Sequence, residues 1–256
     1  MGDRVKGLKA IITGSGGKMG GAVAVKLASE GADVMLNDRR AGTTLPFEKK
    51  CKEYGVDVDA VLGNVTKREG AEALVNQALD RWGRIDIVMN IVGGIKGPVD
   101  NPIWAISEEE YEYAMGLNLR GNFHMTQLAI PGMMERKFGK FVNIASTNWA
   151  GDPMHAPYAA AKAGVVAFTR AVANQLGPYN INVNCIAPGG TMTDQPGHEG
   201  ERTGDRAAQD WTGRNPLGRP NHPDDIANSA LFLVSEEARN VTGALLIVAS
   251  GLNPHL

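Results

Sequence analysis

Residues 8–38, LKAIITGSGGKMGGAVAVKLASEGADVMLND, join a β-rich run to a glycine turn, a helical segment and a second β-rich run. Residues 8–13 are typical of a buried strand, and residues 32–37 are typical of the next one. Between them, the glycines of residues 14–20 mark a turn, and residues 22–31 predict a helix. Strand, turn, helix and strand in this order predict the first unit of a parallel α/β sheet.

The same alternation continues along the chain. Further strands are predicted at residues 58–63, 85–90, 140–145, 181–187 and 244–249, and helices at 47–54, 72–83 and from about Glu108 and Ala156. Strands alternating with helices of this length predict an α/β fold of the Rossmann type, a doubly wound parallel sheet with helices on both faces.

The sequence predicts a single domain. We find no internal repeat, and no linker-like change of composition before Thr191, so a single domain over residues 1–256 is expected. Residues 193–220 are rich in glycine, proline and charge and follow the end of a strand, where open sheets bind ligands. We expect a substrate lid at about residues 191–220, with a disordered loop as the alternative.

The composition excludes several classes of function. The formal net charge of the 256 residues is −2, which leaves no basic footprint for nucleic acid or for an anionic membrane surface. Cys51 and Cys185 are too few for a disulfide framework and show no metal-ligand spacing, so we expect a reducing compartment and no metal. Because residues 1–10 lack the apolar core of a signal peptide, a cytoplasmic protein is expected.

The turn TGSGGKMG (13–20) has the features of a dinucleotide site. Glycines let the backbone approach a pyrophosphate, whose charge is met by the N–H groups that open the following helix. Asp38 ends the second strand, where a carboxylate can accept hydrogen bonds from the ribose of NAD and repel a 2′-phosphate. An ordinary turn and an ordinary strand-end aspartate are the alternatives, but together the two features predict NAD, with NADP as the second choice.

Five later segments follow the turn in a recognisable order: MNIVG (89–93), LNLRGNF (117–123), NIAS (143–146), YAAAK (158–162) and NCIAPGGTMT (184–193). With residues 223–251, they resemble the short-chain dehydrogenase/reductase family over nearly the whole chain. The turn is similar to that family's T-G-x-x-x-G-x-G, with Lys18 in place of the middle glycine. MNIVG is a drifted form of its N-N-A-G motif.

The resemblance implies seven strands in the order 3-2-1-4-5-6-7, a nicotinamide cofactor, an alcohol or ketone substrate and a homotetramer. It implies catalytic roles for Asn118, Ser146, Tyr158 and Lys162. The cofactor contacts that it implies are those of Gly14, Ser15, Lys18, Met19, Asp38, Asn64, Val65, Asn90, Gly93, Lys162, Pro188, Gly189, Thr191 and Thr193. Asn64 stands where many members have an aspartate near the adenine, and Lys18 brings a cation to the pyrophosphate turn.

Tyr158 and Lys162 lie four residues apart and therefore on one face of a helix. An ammonium ~4–5 Å from a phenolate contributes roughly 3–4 kcal/mol at an effective dielectric constant near 20. We therefore expect Lys162 to lower the pKa of Tyr158 toward the working range of a general base. Ser146 is expected to hold the substrate oxygen, and Asn118 a water that relays the proton beyond Lys162. His155 either lines the pocket or lies on the surface.

The sequence thus predicts a cytoplasmic, NAD-dependent oxidoreductase that interconverts a secondary alcohol and a ketone. An NADPH-dependent ketoreductase of the 3-oxoacyl reductase type is the alternative within this class. A catalytically silent cofactor-binding scaffold or sensor is the alternative of another class, because a fold does not by itself determine a function.

Overall fold

The computed structural model describes residues 2–95, 101–151, 155–193 and 215–252. The strands are β1 (Lys9–Thr13), β2 (Asp33–Asp38), β3 (Val58–Leu62), β4 (Ile87–Asn90), β5 (Gly139–Ile144), β6 (Ile181–Pro188) and β7 (Leu245–Val248). The α-helices described are α1 (Lys18–Ser29), α2 (Leu45–Lys52), α3 (Arg68–Trp82), α4 (Glu108–Met115), α5 (Gly121–Arg136), α6 (Ala156–Leu176) and α7 (Pro223–Val234).

The seven strands form one parallel sheet in the order β3-β2-β1-β4-β5-β6-β7. This order confirms the predicted doubly wound sheet. The chain reverses its direction of winding between β1 and β4, and open sheets of this kind bind ligands outside the carboxyl ends of the strands at that point.

Two apolar layers cover the sheet, one on each face. Ile12 and Leu36 pack with residues of α1 and α7, whereas their neighbours Ile11 and Met35 pack with residues of α3, α5 and α6. Because successive side chains of a strand point to opposite faces, a strand buried on both faces is apolar at consecutive positions. This explains why the sequence shows short continuous apolar runs instead of an alternating pattern.

The helix that begins at Glu108 has a strong local start signal. Ser107 accepts a hydrogen bond from the Glu110 N–H at 3.2 Å, and the Glu110 carboxylate accepts one from the Ser107 N–H at 2.8 Å. This reciprocal pair satisfies two N–H groups that an uncapped helix would leave without partners. The pattern-based start at about Glu108 is therefore confirmed.

Two helical features were not predicted from the sequence. A π-helical turn, Gly116–Arg120, connects α4 to α5. Helix α7 was also missed, although Pro223 at its first position and Asp225, whose carboxylate accepts the His222 N–H at 2.8 Å, are start signals.

Most of the predicted lid, residues 194–214, lies outside the described residues. At its two ends, Thr191 pairs with Asn221, whose side-chain amide donates to the Val248 carbonyl oxygen at 2.6 Å. Of the helices described, none has the length and apolar character that a membrane crossing requires.

Candidate active site

A cleft of about 770 Å³ lies along the carboxyl edge of the sheet. The glycine turn after β1 and the ends of β2, β4, β5 and β6 line it, and α6 contributes Tyr158 and Lys162. This volume is in the usual range for small-molecule and cofactor sites. The cleft brings together most of the residues predicted for catalysis and cofactor binding.

The glycine turn needs residues without side chains. Gly14 has a φ of +67°, a conformation that other residues rarely adopt. A Cβ on Gly16 would collide with Thr43 Oγ1 and lie 2.6 Å from Asp38 Oδ2, so a larger residue would require these two side chains to move away from the turn. Asp38 is 8% exposed, and its Oδ1 accepts the Arg40 N–H at 2.9 Å and lies 3.3 Å from Arg40 Nε.

These residues fit a dinucleotide. Helix α1 begins at Lys18 with no acidic residue in its first turn and no side-chain cap on its N-terminal N–H groups. Its positive end therefore faces the cleft with no carboxylate in its own first turn, which suits a diphosphate. Asp38 lies at the end of the neighbouring strand, where its carboxylate would accept hydrogen bonds from the hydroxyls of a ribose.

Two of the residues predicted to contact the cofactor, Ser15 and Asn90, do not line the cleft, and their contact with a cofactor stays a prediction. Ser15 is fully buried, its N–H donates to the Asn37 carbonyl at 2.9 Å, and its Oγ accepts the Asn37 N–H at 2.8 Å. Asn90 is buried, and its amide donates to Asn143 Oδ1 at 2.9 Å. Neither residue lines the cleft; both join neighbouring strands or turns, because the backbone around them brings polar partners that the sequence does not reveal.

The other predicted contacts do line the cleft: Gly14, Lys18, Met19, Asp38, Asn64, Val65, Gly93, Lys162, Pro188, Gly189, Thr191 and Thr193. The Asn64 side chain is partly engaged, since its Oδ1 accepts from the Thr66 N–H at 3.1 Å and the Thr66 hydroxyl at 2.8 Å. Thr191 donates its hydroxyl proton to the Gly189 carbonyl at 3.0 Å, which fixes the loop after β6.

Tyr158 and Lys162 share one face of α6, as predicted. Lys162 Nζ lies 5.6 Å from the centre of the Tyr158 ring and donates to the Ile144 carbonyl oxygen at 2.8 Å. Burial lowers the pKa of Lys162 to about 8, against a smaller opposing effect of the Cys185 thiol. The ammonium therefore anchors α6 to the end of β5 beside the phenol.

The direction predicted for the Tyr158 pKa is wrong for this structure. Burial raises the pKa of Tyr158, and the hydrogen bond with Ser146 lowers it by a smaller amount. The prediction of a lowered pKa considered the attraction between the Lys162 charge and the phenolate. Burial also removes water from the phenolate, and this loss of hydration raises the pKa.

Asn118 lies in the π-helical turn and is 1% exposed. Its amide donates to the carbonyl oxygens of Gly94 at 2.9 Å and Ala114 at 2.8 Å, and its Oδ1 accepts the Gly94 N–H at 2.9 Å. A Cβ on Gly93 would lie 2.7 Å from Asn118 Oδ1 and 2.8 Å from Lys162 Nζ. Asn118 thus holds the loop after β4 next to Lys162, and π-helical turns of this kind are frequent at functional sites. The water relay through Asn118 stays a prediction.

His155 is neither a surface residue nor part of the cleft lining described. It is 1% exposed, adopts a left-handed conformation with φ +48°, and its Nδ1 accepts the Tyr158 N–H at 3.4 Å. It therefore caps α6 and sets the start of the helix that carries Tyr158.

Sequence reasoning missed Asn148. The Ser146 hydroxyl donates to Asn148 Oδ1 at 3.1 Å and accepts the Asn148 N–H at 3.3 Å. The only sequence signal is the spacing of two residues, which allows a side chain to bond the backbone just ahead of it.

A parallel sheet with a dinucleotide-sized cleft and a Tyr–Lys pair beside it defines a class of oxidoreductases. Residues 16–253 match the family model described as Enoyl-(Acyl carrier protein) reductase. The chain is 36% identical to the (2S)-[(R)-hydroxy(phenyl)methyl]succinyl-CoA dehydrogenase subunit BbsD of Thauera aromatica, over 94% of this chain and 95% of that protein. The chain belongs to the short-chain dehydrogenase/reductase family.

Two further similar proteins are a reductase and a dehydrogenase. The 3-oxoacyl-[acyl-carrier-protein] reductase FabG of Thermotoga maritima is 32% identical, over 97% of this chain and 99% of that protein. A solved 7α-hydroxysteroid dehydrogenase, complexed with NADH and 7-oxo glycochenodeoxycholic acid, matches with a TM-score of 0.90 at 32% identity. That match covers 99% of this chain and 97% of the solved chain. The relatives are oxidoreductases that act on CH–OH groups.

Proposed function

We propose that this protein is an NAD-dependent oxidoreductase that interconverts a secondary alcohol and a ketone. The observation that carries the proposal is that Tyr158, Ser146 and Lys162 line the same cleft as the Asp38 carboxylate, and that β1 and β4 separate the strand that ends at Asp38 from the strand that Ser146 follows. A dinucleotide that extends from Asp38 along the glycine turn would bring its nicotinamide toward Tyr158.

Three residues of the chain have separate roles in the transfer of the hydroxyl proton. Tyr158 takes the hydroxyl proton of the alcohol, or returns it to the ketone, and is the catalytic residue at the reacting oxygen. Ser146 donates a hydrogen bond to the same oxygen as charge develops on it. The Lys162 ammonium opposes the effect of burial and favours the phenolate. When bound, NAD supplies the acceptor for the hydride that leaves the carbinol carbon.

The experiment that tests the proposal is a panel of secondary alcohols and ketones assayed with both cofactors. We expect absorbance at 340 nm to rise with NAD and at least one alcohol, and Ser146→Ala to reduce that rate by about 10²-fold. If no alcohol or ketone turns over with either cofactor, while NAD binds in calorimetry, the scaffold or sensor function would replace the enzymatic one.

A 3-oxoacyl reductase that uses NADPH is the second candidate, and the FabG relative favours it. Lys18 and Arg39 line the same cleft as Asp38 and add positive charge to it, which favours a 2′-phosphate. A 3-oxoacyl thioester that is reduced faster with NADPH than any alcohol is oxidised with NAD would select this candidate.

Asp38 should make NAD the better cofactor. Its carboxylate would face a 2′-phosphate with nearly two negative charges, which costs up to about 4 kcal/mol per charge pair at ~4 Å. The contact with Arg40 screens part of this repulsion.

We expect Asp38→Ala to move the NAD/NADP ratio of kcat/KM toward NADP by about tenfold or more. Asp80→Ala, an exposed change on α3, is the matched control. A wild type that prefers NADP, or a ratio that Asp38→Ala leaves unchanged, would contradict the assignment.

We propose a homotetramer with twofold axes, formed through the long helices that carry Asn118 and Tyr158. Closed symmetry is the general preference of soluble oligomers. Phe123 on α5 and Tyr111 on α4 are 46% and 45% exposed, and such apolar side chains gain from burial between subunits. Light scattering at micromolar concentration should give about four times the mass of the chain. The mass of a monomer would contradict the proposal.

A cytoplasmic location and a single domain with a lid complete the proposal. Both cysteines, Cys51 and Cys185, are free and buried, as suits a reducing compartment. Cell fractionation tests the location, and limited proteolysis tests the domain, because a single domain with one lid should be cut first between residues 191 and 220.

A further inference from the structure

Asn221 is a buried residue that joins separate segments of the chain near the end of β7. It is 3% exposed, and its side-chain NH₂ group donates to the carbonyl oxygen of Val248, the last residue of β7, at 2.6 Å. Its Oδ1 accepts the hydroxyl proton of Ser250 at 2.9 Å. Because a carbonyl oxygen can only accept a hydrogen bond, the contact with Val248 fixes the orientation of the amide.

The backbone of Asn221 holds the loop that follows β6. Its N–H donates to the Gly190 carbonyl oxygen at 2.9 Å, and its own carbonyl oxygen accepts the Met192 N–H at 2.9 Å. Four residues of this part of the chain line the cleft: Pro188, Gly189, Thr191 and Thr193. Asn221 does not line the cleft itself, so it ties this wall of the cleft to β7 from outside.

Ser250 is held in a conformation that needs support from its neighbours. Its φ is +51°, in the left-handed region that residues other than glycine rarely adopt. Its carbonyl oxygen accepts the Leu217 N–H at 3.0 Å, and its hydroxyl donates to Asn221. Such strained residues persist where the surrounding contacts impose them, and they cluster at functional sites. We call the two side chains and their mutual hydrogen bond the Asn221–Ser250 clamp.

The strand order relates the loop after β6 to the two halves of a dinucleotide. Three strands, β1, β4 and β5, separate β6 from the strand that ends at Asp38. In contrast, β6 is the direct neighbour of β5, which Ser146 follows. A dinucleotide with its adenosine ribose at Asp38 and its nicotinamide near Ser146 therefore meets the loop after β6 with its nicotinamide half.

We propose that Asn221 and Ser250 are positioning residues that hold the loop after β6 in place for the nicotinamide half of NAD. The inference rests on the proposed function, in which NAD accepts the hydride of the alcohol. A wall that is fixed before binding loses little conformational freedom when the nicotinamide arrives. The clamp therefore increases the affinity for that half of the cofactor and keeps the ring aligned for hydride transfer.

The test compares the binding of NADH and of ADP-ribose, which is the same molecule without its nicotinamide, by calorimetry. We expect Asn221→Ala to weaken NADH about tenfold and to change the dissociation constant of ADP-ribose by less than about twofold. Asp38 and the glycine turn are unchanged in this variant, so the adenosine half keeps its site. Asn221→Asp should act in the same way, because a carboxylate cannot donate to the Val248 carbonyl oxygen.

Asn184 on β6 offers the matched control. It is fully buried, its amide donates to the Val241 carbonyl oxygen at 2.8 Å, and its Oδ1 accepts the Ala244 N–H at 3.1 Å. It thus joins β6 to the residues that precede β7, and it does not line the cleft. Asn184→Ala should lower the free energy of unfolding and leave the ratio of the two dissociation constants as in wild type.

Ser250→Gly is the second variant, and it decides alone if Asn221→Ala folds poorly. Glycine adopts a φ of +51° without strain, so this change should fold and remove only the hydroxyl that donates to Asn221. We expect it to weaken NADH about threefold relative to ADP-ribose. An unchanged ratio of the two dissociation constants in the folded variants, or an equal loss of affinity for both ligands, would overturn the proposal.

Turnover provides the second readout. The kcat of Asn221→Ala with saturating cofactor should fall about tenfold, because a loosened wall aligns the nicotinamide less well. A kcat equal to that of wild type would contradict the proposed alignment. Failure of the proposed function is distinguishable, because wild type would then turn over no alcohol or ketone, whereas the comparison of NADH with ADP-ribose needs no substrate.

Discussion

Tyr158→Phe is expected to lose about 10²- to 10⁴-fold in turnover while it still folds and binds NAD. The substitution keeps the aromatic ring in place and removes only the hydroxyl, which is the group that exchanges a proton with the substrate. Ser146 cannot replace it, because an alkyl hydroxyl is a far weaker acid than a phenol. The effect should fall on kcat, with KM for NAD within about twofold of wild type.

Steady-state kinetics with the best alcohol of the panel, and calorimetry with NAD, measure these two quantities. Tyr54→Phe is the matched control, since Tyr54 packs against the core beside α2 and does not line the cleft. Near wild-type turnover in Tyr158→Phe would end the proposed mechanism. The scaffold function and a different general base would then have to be reconsidered.

Lys162→Met should have the second largest effect, and of a different kind. Lys162 is 2% exposed, and a methionine of similar length fills its space without its charge. The change leaves the Ile144 carbonyl without its donor and removes the cation beside the phenol. We expect kcat/KM for alcohol oxidation at pH 7 to fall by about 10²-fold or more, with weaker NAD binding.

The sign of the pH effect follows from the groups around Tyr158. Burial already raises the pKa of Tyr158, and removal of the neighbouring ammonium raises it further. Oxidation needs the phenolate, so its profile should move to higher pH in Lys162→Met. Reduction needs the protonated phenol, and its alkaline limb should move in the same direction.

The chain offers a matched control for this variant. Lys140 on β5 is 5% exposed, burial lowers its pKa, and its Nζ donates to Asn182 Oδ1 at 2.7 Å, but it does not line the cleft. Lys140→Met should lower the free energy of unfolding and leave the pH profile in place. If both lysine variants leave the profile unmoved, Lys162 does not act on the Tyr158 proton.

The local patterns of the sequence were sufficient to predict a parallel sheet covered by helices, the glycine turn and the pairing of Tyr158 with Lys162, whereas the order of the strands followed from the family resemblance. Each of these depends on residues close in the chain: apolar runs bounded by turns, glycines where a side chain would collide, and a spacing of four on one helix. The start of α4 at Glu108 is predictable for the same reason, because Ser107 and Glu110 satisfy each other's N–H groups.

What only the tertiary structure decided is the environment of these residues. The side chains of Ser15 and Asn90 form hydrogen bonds with Asn37 and Asn143 on neighbouring strands, and Asn118 lies in a π-helical turn and holds the loop after β4. Whether the Tyr158 pKa rises or falls depends on how much water remains around the phenol once β5, α4 and α6 have packed together. Hydration and hydrogen-bond partners come from residues distant in the chain, so no local pattern of the sequence contains them.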